Sequence, residues 1–181
     1  MPVQIGATSS SFADPVSLLS DCHRRIEMFL RVLQAVGERA DEQLTEEARK
    51  SLETALRYFR EAAPKHTADE EESLFPRLRR SQDSGMEDVL QRLDSLEADH
   101  RDVAPLHSVV DRLGDRYLKL GMLTALEANE LREVVAKLVS NYNHHIEMED
   151  SVVFPAAAKL LAKADKLAVA QEMAERRNIR L

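Results

Sequence analysis

Two stretches of this sequence repeat one another, and both carry groups that bind metals. The first runs from His66 to Pro76 as His-Thr-Ala-Asp-Glu-Glu-Glu-Ser-Leu-Phe-Pro. The second runs from His145 to Pro155 as His-Ile-Glu-Met-Glu-Asp-Ser-Val-Val-Phe-Pro. With the histidines aligned, an acid follows at +4 (Glu70, Glu149) and another at +5 (Glu71, Asp150). Phe75 and Phe154 stand at +9, and Pro76 and Pro155 at +10. Each copy also has a histidine upstream: His23 lies 43 residues before His66, and His100 lies 45 before His145. A neutral imidazole gives one nitrogen ligand. A carboxylate has two oxygens and can bridge two ions. Four histidines and two carboxylates at one point would make a two-metal site, suited to iron, manganese or zinc.

The spacing serves that chemistry if the stretches are helical. Residues i and i+4 differ by about 40° in direction and about 6 Å along a helix axis. His66 with Glu70, and His145 with Glu149, can thus each reach one point. Two divalent ions carry four positive charges. Two bridging carboxylates and a hydroxide offset three of them. Without metal, the same groups would lie against Leu and Val at a cost of several kcal/mol per unpaired charge. A single HxxxE pair is also an ordinary surface contact on helices. Two on core stripes, with a shared tail and matched upstream histidines, argue for metal.

The elements that must position these groups read as four helices. Asp14-Pro15 is a cap followed by Pro at the first helical position. Leu19, His23, Ile26, Leu30 and Leu33 form the stripe of the first helix, ending at Gly37 to Gln43. Thr45 with Glu46 and Glu47 opens the second. Its stripe is Leu52, Leu56, Phe59, Ala63, His66, Glu70 and Ser73, with a kink or break expected at Pro64 and an end near Pro76. Residues 81–85 read as a loop. The third helix is expected over about 86–118, with Leu93, Leu96, His100, Val103, His107 and Val110 inward. Pro105 should interrupt it, and Gly114 and Gly121 should mark its weakening end. Thr124 and Glu127 form a capping box for the fourth, whose stripe is Leu131, Val135, Leu138, Tyr142, His145, Glu149 and Val152. Four helices of about 25 to 35 residues with short loops imply an all-α, up-down-up-down four-helix bundle. The repeat makes it two αα-hairpins related by a pseudo-twofold axis. A polar tail over residues 1–13 is expected before the bundle of residues 14–163. A short C-terminal helix and charged tail are expected over residues 164–181. The apolar segment Leu167 to Met173 could cap the bundle or join a partner.

Composition bounds the function classes. The 181 residues are 44% hydrophobic, with five Gly, six Pro and eight aromatics, which suits one helical domain rather than a turn-rich β chain. A net charge of −7 and no basic stripe beyond Arg176-Arg177-Asn178-Ile179-Arg180 argue against a nucleic-acid partner. Cys22 is the only cysteine, which rules out an intrachain disulfide and fits a reducing cytosol. With no basic start, leader-like apolar run or long apolar span, a soluble cytoplasmic protein with no membrane partner is expected.

On these residues the chain resembles the hemerythrin-like HHE cation-binding domains over about Asp14 to Leu161. The resemblance rests on His23, His66-x-x-x-Glu70 with Glu71 and Leu74-Phe75-Pro76, His100, and His145-x-x-x-Glu149 with Phe154-Pro155. It implies two iron ions, oxo- or hydroxo-bridged, in a four-helix bundle. Glu70 and Glu149 would bridge them, and His23, His66, His100 and His145 would be terminal ligands. Oxygen or peroxide would be the small ligand. The oxygen-carrying hemerythrins have a fifth histidine where this chain has Ala104. That leaves more open positions and makes a pure oxygen carrier a poorer match.

Other residues are weighed beside these. Glu27, four after His23, is a further candidate ligand, against a plainer reading at the surface beside an arginine. Glu71 and Asp150 point about 100° off the ligand direction and suit outer positions. His107 lies about 10 Å along the axis from His100, too far for the same ion. His144 should face solvent. Cys22 reads as a small buried residue, and Tyr142 as packing. Glu97 and His100 form one ExxH, but ferritin-like sites need two. The expected function is a di-iron protein that binds or senses oxygen or handles iron. The alternatives are an enzyme decomposing peroxide and, by family resemblance, an iron donor for iron–sulfur cluster repair. Donation ranks lower because repair proteins often carry a cysteine-bearing region ahead of the pattern, and none precedes it here.

Overall fold

The computed structural model describes residues 12–81 and 84–181. The expected tail falls outside the described residues over 1–11, as do residues 82 and 83 of the expected loop. The described residues form helices α1 Pro15–Gly37, α2 Glu46–Glu61, α3 Ala63–Ala68, α4 Phe75–Arg80, α5 Glu87–Leu120, α6 Ala125–Met148, α7 Phe154–Leu160 and α8 Lys163–Arg176. Among the described residues there is no strand, and no helix is long and apolar enough to cross a membrane.

Caps start the long helices where the sequence places them. Asp14 accepts from Ser17 N–H, and Thr45 from Ala48 N–H. Thr124 and Glu127 close a capping box, with the Glu127 carboxylate accepting from Thr124 N–H at 3.0 Å. Pro64 does break its helix. α2 stops at Glu61, and α3 begins just before the proline, bringing His66 in on a new short rod.

Three expectations need correcting. Pro105 does not interrupt α5, which runs unbroken for 34 residues. Gly114 does not weaken it either. It is buried where α5 meets α2, and a Cβ there would stand 2.8 Å from Leu56 Cδ1. Gly121 does end the helix, with φ of 78° and its N–H bonded to the Tyr117 carbonyl. The third correction concerns the repeated motifs. Both pass through a π-helical turn, at Asp69–Leu74 and Glu149–Val153, and helix then resumes through Pro76 and Pro155. Phe75 and Phe154 N–H groups reach back five residues to the carbonyls of Glu70 and Glu149. Each proline, lacking an N–H, follows where the register returns to four.

α1, α2, α5 and α6 form the bundle, in a ring of contacts α1–α2–α5–α6–α1. Its interior is divided in two. One apolar cluster contains Ile26, Leu30, Leu33, Leu56, Val103, Leu113, Leu131 and Leu138. The other contains Leu19, Leu74, Phe75, Leu93, Leu96, Val153, Phe154 and Met173. The polar layer of His23, His100 and His145 falls between them on the helices. Each fully buried Leu or Phe contributes roughly 1.5–3 kcal/mol, so two such clusters can offset the cost of a polar layer.

α8 caps the bundle. It buries Val169, Ala170, Met173 and Ala174 and packs on α1 and the first π turn. Arg176 and Arg177 grip the fully buried Asp69 at 3.0 and 2.6 Å, and Arg77 takes Glu172 with both terminal nitrogens. Leu167, on the outer side, stays 58% exposed.

Gly114→Val is expected to destabilise the fold by about 2 kcal/mol, because the added methyls must displace Leu56. Urea unfolding of the metal-free protein measures it. An unchanged midpoint would show that the α2–α5 contact is loose.

Candidate metal centre

Six of the seven candidate residues meet in one layer. α1 brings His23, α3 His66, α5 His100 and α6 His145, while the two π turns bring Glu70 and Glu149. They make two overlapping groups. His23, His66, Glu70 and Glu149 place ligand atoms within 4.8 Å of one another, and so do Glu70, His100, His145 and Glu149. Each group takes its imidazoles from one hairpin, and both use the same two carboxylates. Glu70 Oε1 lies 3.1 Å from His66 Nε2 and 3.8 Å from His23 Nε2, and its Oε2 lies 3.5 Å from His100 Nε2. Glu149 Oε2 lies 3.1 Å from His23 Nε2 and 3.2 Å from His145 Nε2.

The polar atoms here lack ordinary partners. Among the described residues, both oxygens of Glu70, both of Glu149, and Nε2 of His23 and His145 have no hydrogen-bond partner. The distances are short enough for hydrogen bonds, but the approach directions are not. Both carboxylates are completely buried. Unpaired buried charge is costly, and lone pairs converging on shared points fit bound cations.

An outer layer orients the imidazoles. His23 Nδ1 meets Asp150 at 3.1 Å, His100 Nδ1 meets Glu71 at 2.8 Å, and His145 Nδ1 meets Asp99 at 3.3 Å. Each acid turns Nε2 inward and makes the ring a better donor. Glu71 and Asp150 are thus outer residues, each serving a histidine of the other hairpin. Ser20 in turn donates to Asp150 at 2.8 Å. Phe154 stacks on the His23 ring at 5.1 Å between centroids, which gives the +9 aromatic a supporting role.

Glu27 does not join the centre. Its carboxylate faces Arg31 at 4.0 Å and is 39% exposed, while Ile26 takes the inward position after His23. α1 carries Glu27 beyond the histidine layer, away from the π turns. His107 stays outside too. Its Nε2 meets the Tyr142 hydroxyl at 3.0 Å, and burial pushes its pKa down to about 4. His144 is exposed. Burial raises the Cys22 thiol pKa. Asp99 and the Asp69–Arg176–Arg177 cluster escaped the sequence reading, since no spacing rule ties residues on different helices. The one available signal for Asp99 was an acid directly beside a candidate ligand.

The metal-free layer is electrostatically strained. Burial opposes charge on His23, but the Asp150, Glu149 and Glu70 carboxylates outweigh it and raise its pKa to about 12. His145 is likewise raised to about 9 against its burial, chiefly by Glu149. Burial and the His23 charge hold His66 well below the usual range, and burial and His145 lower His100. Burial and the Glu149 charge raise Glu70, whereas His145 and His23 overcome burial and lower Glu149. Protons on His23, His145 and Glu70 therefore offset the buried negative charge of this layer.

Metal and proton compete for those ligand atoms, so uptake of Zn(II) at pH 7 is expected to release about three protons, from His23, His145 and Glu70. A protonated imidazole has no free lone pair, so apparent affinity should rise from pH 6 toward pH 9 as His145 gives up its proton. Calorimetric titration in buffers of different ionisation enthalpy counts the protons. Uptake without proton release would contradict this charge arrangement.

Comparison with known proteins agrees with this geometry. The hemerythrin HHE cation-binding domain matches residues 14–172. An uncharacterised protein of Haemophilus influenzae is 23% identical over 173 residues, with 94% of each chain covered. The match spans every helix of the bundle and all six convergent residues, and the chain belongs to the hemerythrin HHE cation-binding domain family.

Proposed function

We propose that this protein holds a non-haem di-iron centre and uses it to bind or sense oxygen, or to handle iron. The observation that carries this reading is the sharing of Glu70 and Glu149 by both ligand groups. Two carboxylates common to two groups set a short separation between two ions, whereas separate structural sites would each need their own. Imidazole and carboxylate without thiolate suit iron. Iron, when bound, supplies redox chemistry and coordination positions open to a small ligand.

The chain's own residues define what could reach those positions. A cavity of about 10 Å³ lies against His23, His66, His100, His145 and Tyr142. That is room for about one water-sized molecule. Oxygen and peroxide, at two heavy atoms, are the ligands nearest in scale to such a space, and an organic substrate is far larger. Tyr142 forms one wall, its hydroxyl held by His107. The apolar clusters on either side keep bulk water out, which strengthens electrostatic interactions within the layer. Peroxide is close to oxygen in size, so turnover decides between a binder and an enzyme.

Metal analysis after anaerobic iron loading is expected to find two irons per chain, one for each ligand group, and admitting oxygen should oxidise them and bring up a near-ultraviolet oxygen-to-iron charge-transfer band. Glu70→Ala and Glu149→Ala should each lose both ions, since each carboxylate serves both groups. A spectrum that changes with oxygen and reverts on its removal supports binding or sensing. Sustained peroxide loss supports the enzyme instead. Zinc or no metal after iron loading would overturn the di-iron reading.

A further inference from the structure

The two halves of the centre are supported unequally. Three of the four imidazoles have a carboxylate on Nδ1: His23 has Asp150, His100 has Glu71 and His145 has Asp99. His66 has none. Its Nδ1 is buried and has no hydrogen-bond partner among the described residues. One half, His100 with His145, is therefore doubly supported. The other, His23 with His66, is singly supported.

The pseudo-twofold explains the gap. Its axis exchanges His23 with His100 and His66 with His145. Asp150 on His23 then corresponds to Glu71 on His100, and that pair is kept. Asp99 directly precedes His100 and serves His145. Its counterpart directly precedes His23 and would serve His66. That residue is Cys22. A cysteine side chain ends one bond short of a carboxylate oxygen and is a weak hydrogen-bonding group. Cys22 is also buried, where Asp99 is about one-third exposed.

We infer that the two ion positions are inequivalent, with the His100/His145 half binding first and tightly and the His23/His66 half holding the exchangeable ion, because Cys22 stands where an acid would fix His66. This rests on the metal-binding reading above and deepens it. Loss of an outer acid commonly weakens metal binding about 10–100-fold, and that is the expected ratio between halves. Asp99 and Cys22 are positioning residues that act through His145 and His66. A centre built this way retains one ion while exchanging the other, which suits iron handling.

Zn(II) titration of the full-length protein tests the order, read by histidine ring NMR. At one equivalent, the His100 and His145 Nε2 nitrogens should show the large 15N shift of metal ligation while those of His23 and His66 show only the smaller changes of a neighbouring charge. Asp99→Asn should weaken the first step about 10–100-fold. His66→Ala should spare the first step and remove the second, with circular dichroism checking that the bundle remains folded. Cys22→Asn offers an amide oxygen to His66 Nδ1 without adding charge. It should tighten the second step about tenfold or more, a gain that misfolding cannot imitate. The inference is overturned if the His23 and His66 nitrogens show the ligation shift first, if all four show it together, or if Cys22→Asn leaves the second step unchanged. If no zinc binds at all, the metal-binding reading falls and takes the inference with it. An inverted or equal order would refute the inference alone.

Discussion

Two fully buried carboxylates facing one set of imidazoles are the constraint on which this structure depends. Among the described residues, Glu70 and Glu149 have no ordinary hydrogen-bond partners, and both are fully buried. Such groups are tolerated only if positive charge is supplied to them. Protons on His23 and His145 supply part of it, and bound cations would supply it fully. The inner pair and the three outer acids, Asp99, Glu71 and Asp150, are five carboxylates, which nearly balance two divalent ions. The layer is thus built for cation charge rather than for a neutral core.

The rest of the molecule holds that layer still. Apolar clusters lie above and below it, so no helix can slide without exposing Leu or Phe on one side. The π turns place Glu70 and Glu149 at the start of a widened stretch of helix, and the prolines at +10 follow where the register closes again. α8 adds a brace from outside. Its two arginines pin Asp69, the residue just before Glu70. The matching position before Glu149 is Met148, approached by Arg92, so among the described residues the ionic brace lies on one half.

The pseudo-twofold is followed where ligand atoms are concerned and departed from around them. The four histidines and two glutamates obey it. Asp69 against Met148 and Cys22 against Asp99 do not. Duplicated half-sites need only their inner ligands in common, and the outer positions are free to differ. Those differences would let two ion positions, if both are filled, behave unlike one another.

Much of this was legible without coordinates. Periods of three and four, capping residues and the doubled motif determined the all-α bundle, and they put His66, Glu70, His145 and Glu149 on inward stripes. These are local properties, written in spacing along one helix. Partnerships between helices were not legible. Whether Glu27 faced the site or Arg31 depended on which side of the histidine layer the π turns approached. Pro105 looked like a break because propensity counts a lost hydrogen bond but not the packing that compensates it. Asp99 reaches His145 across 46 positions of sequence, and Arg177 reaches Asp69 across 108. The sequence by itself put the candidate histidines and glutamates on inward stripes and determined the helices that carry them, because those follow from local periodicity. Only the tertiary structure decided which acid supports which histidine, and which histidine has none, because that depends on how separate helices meet.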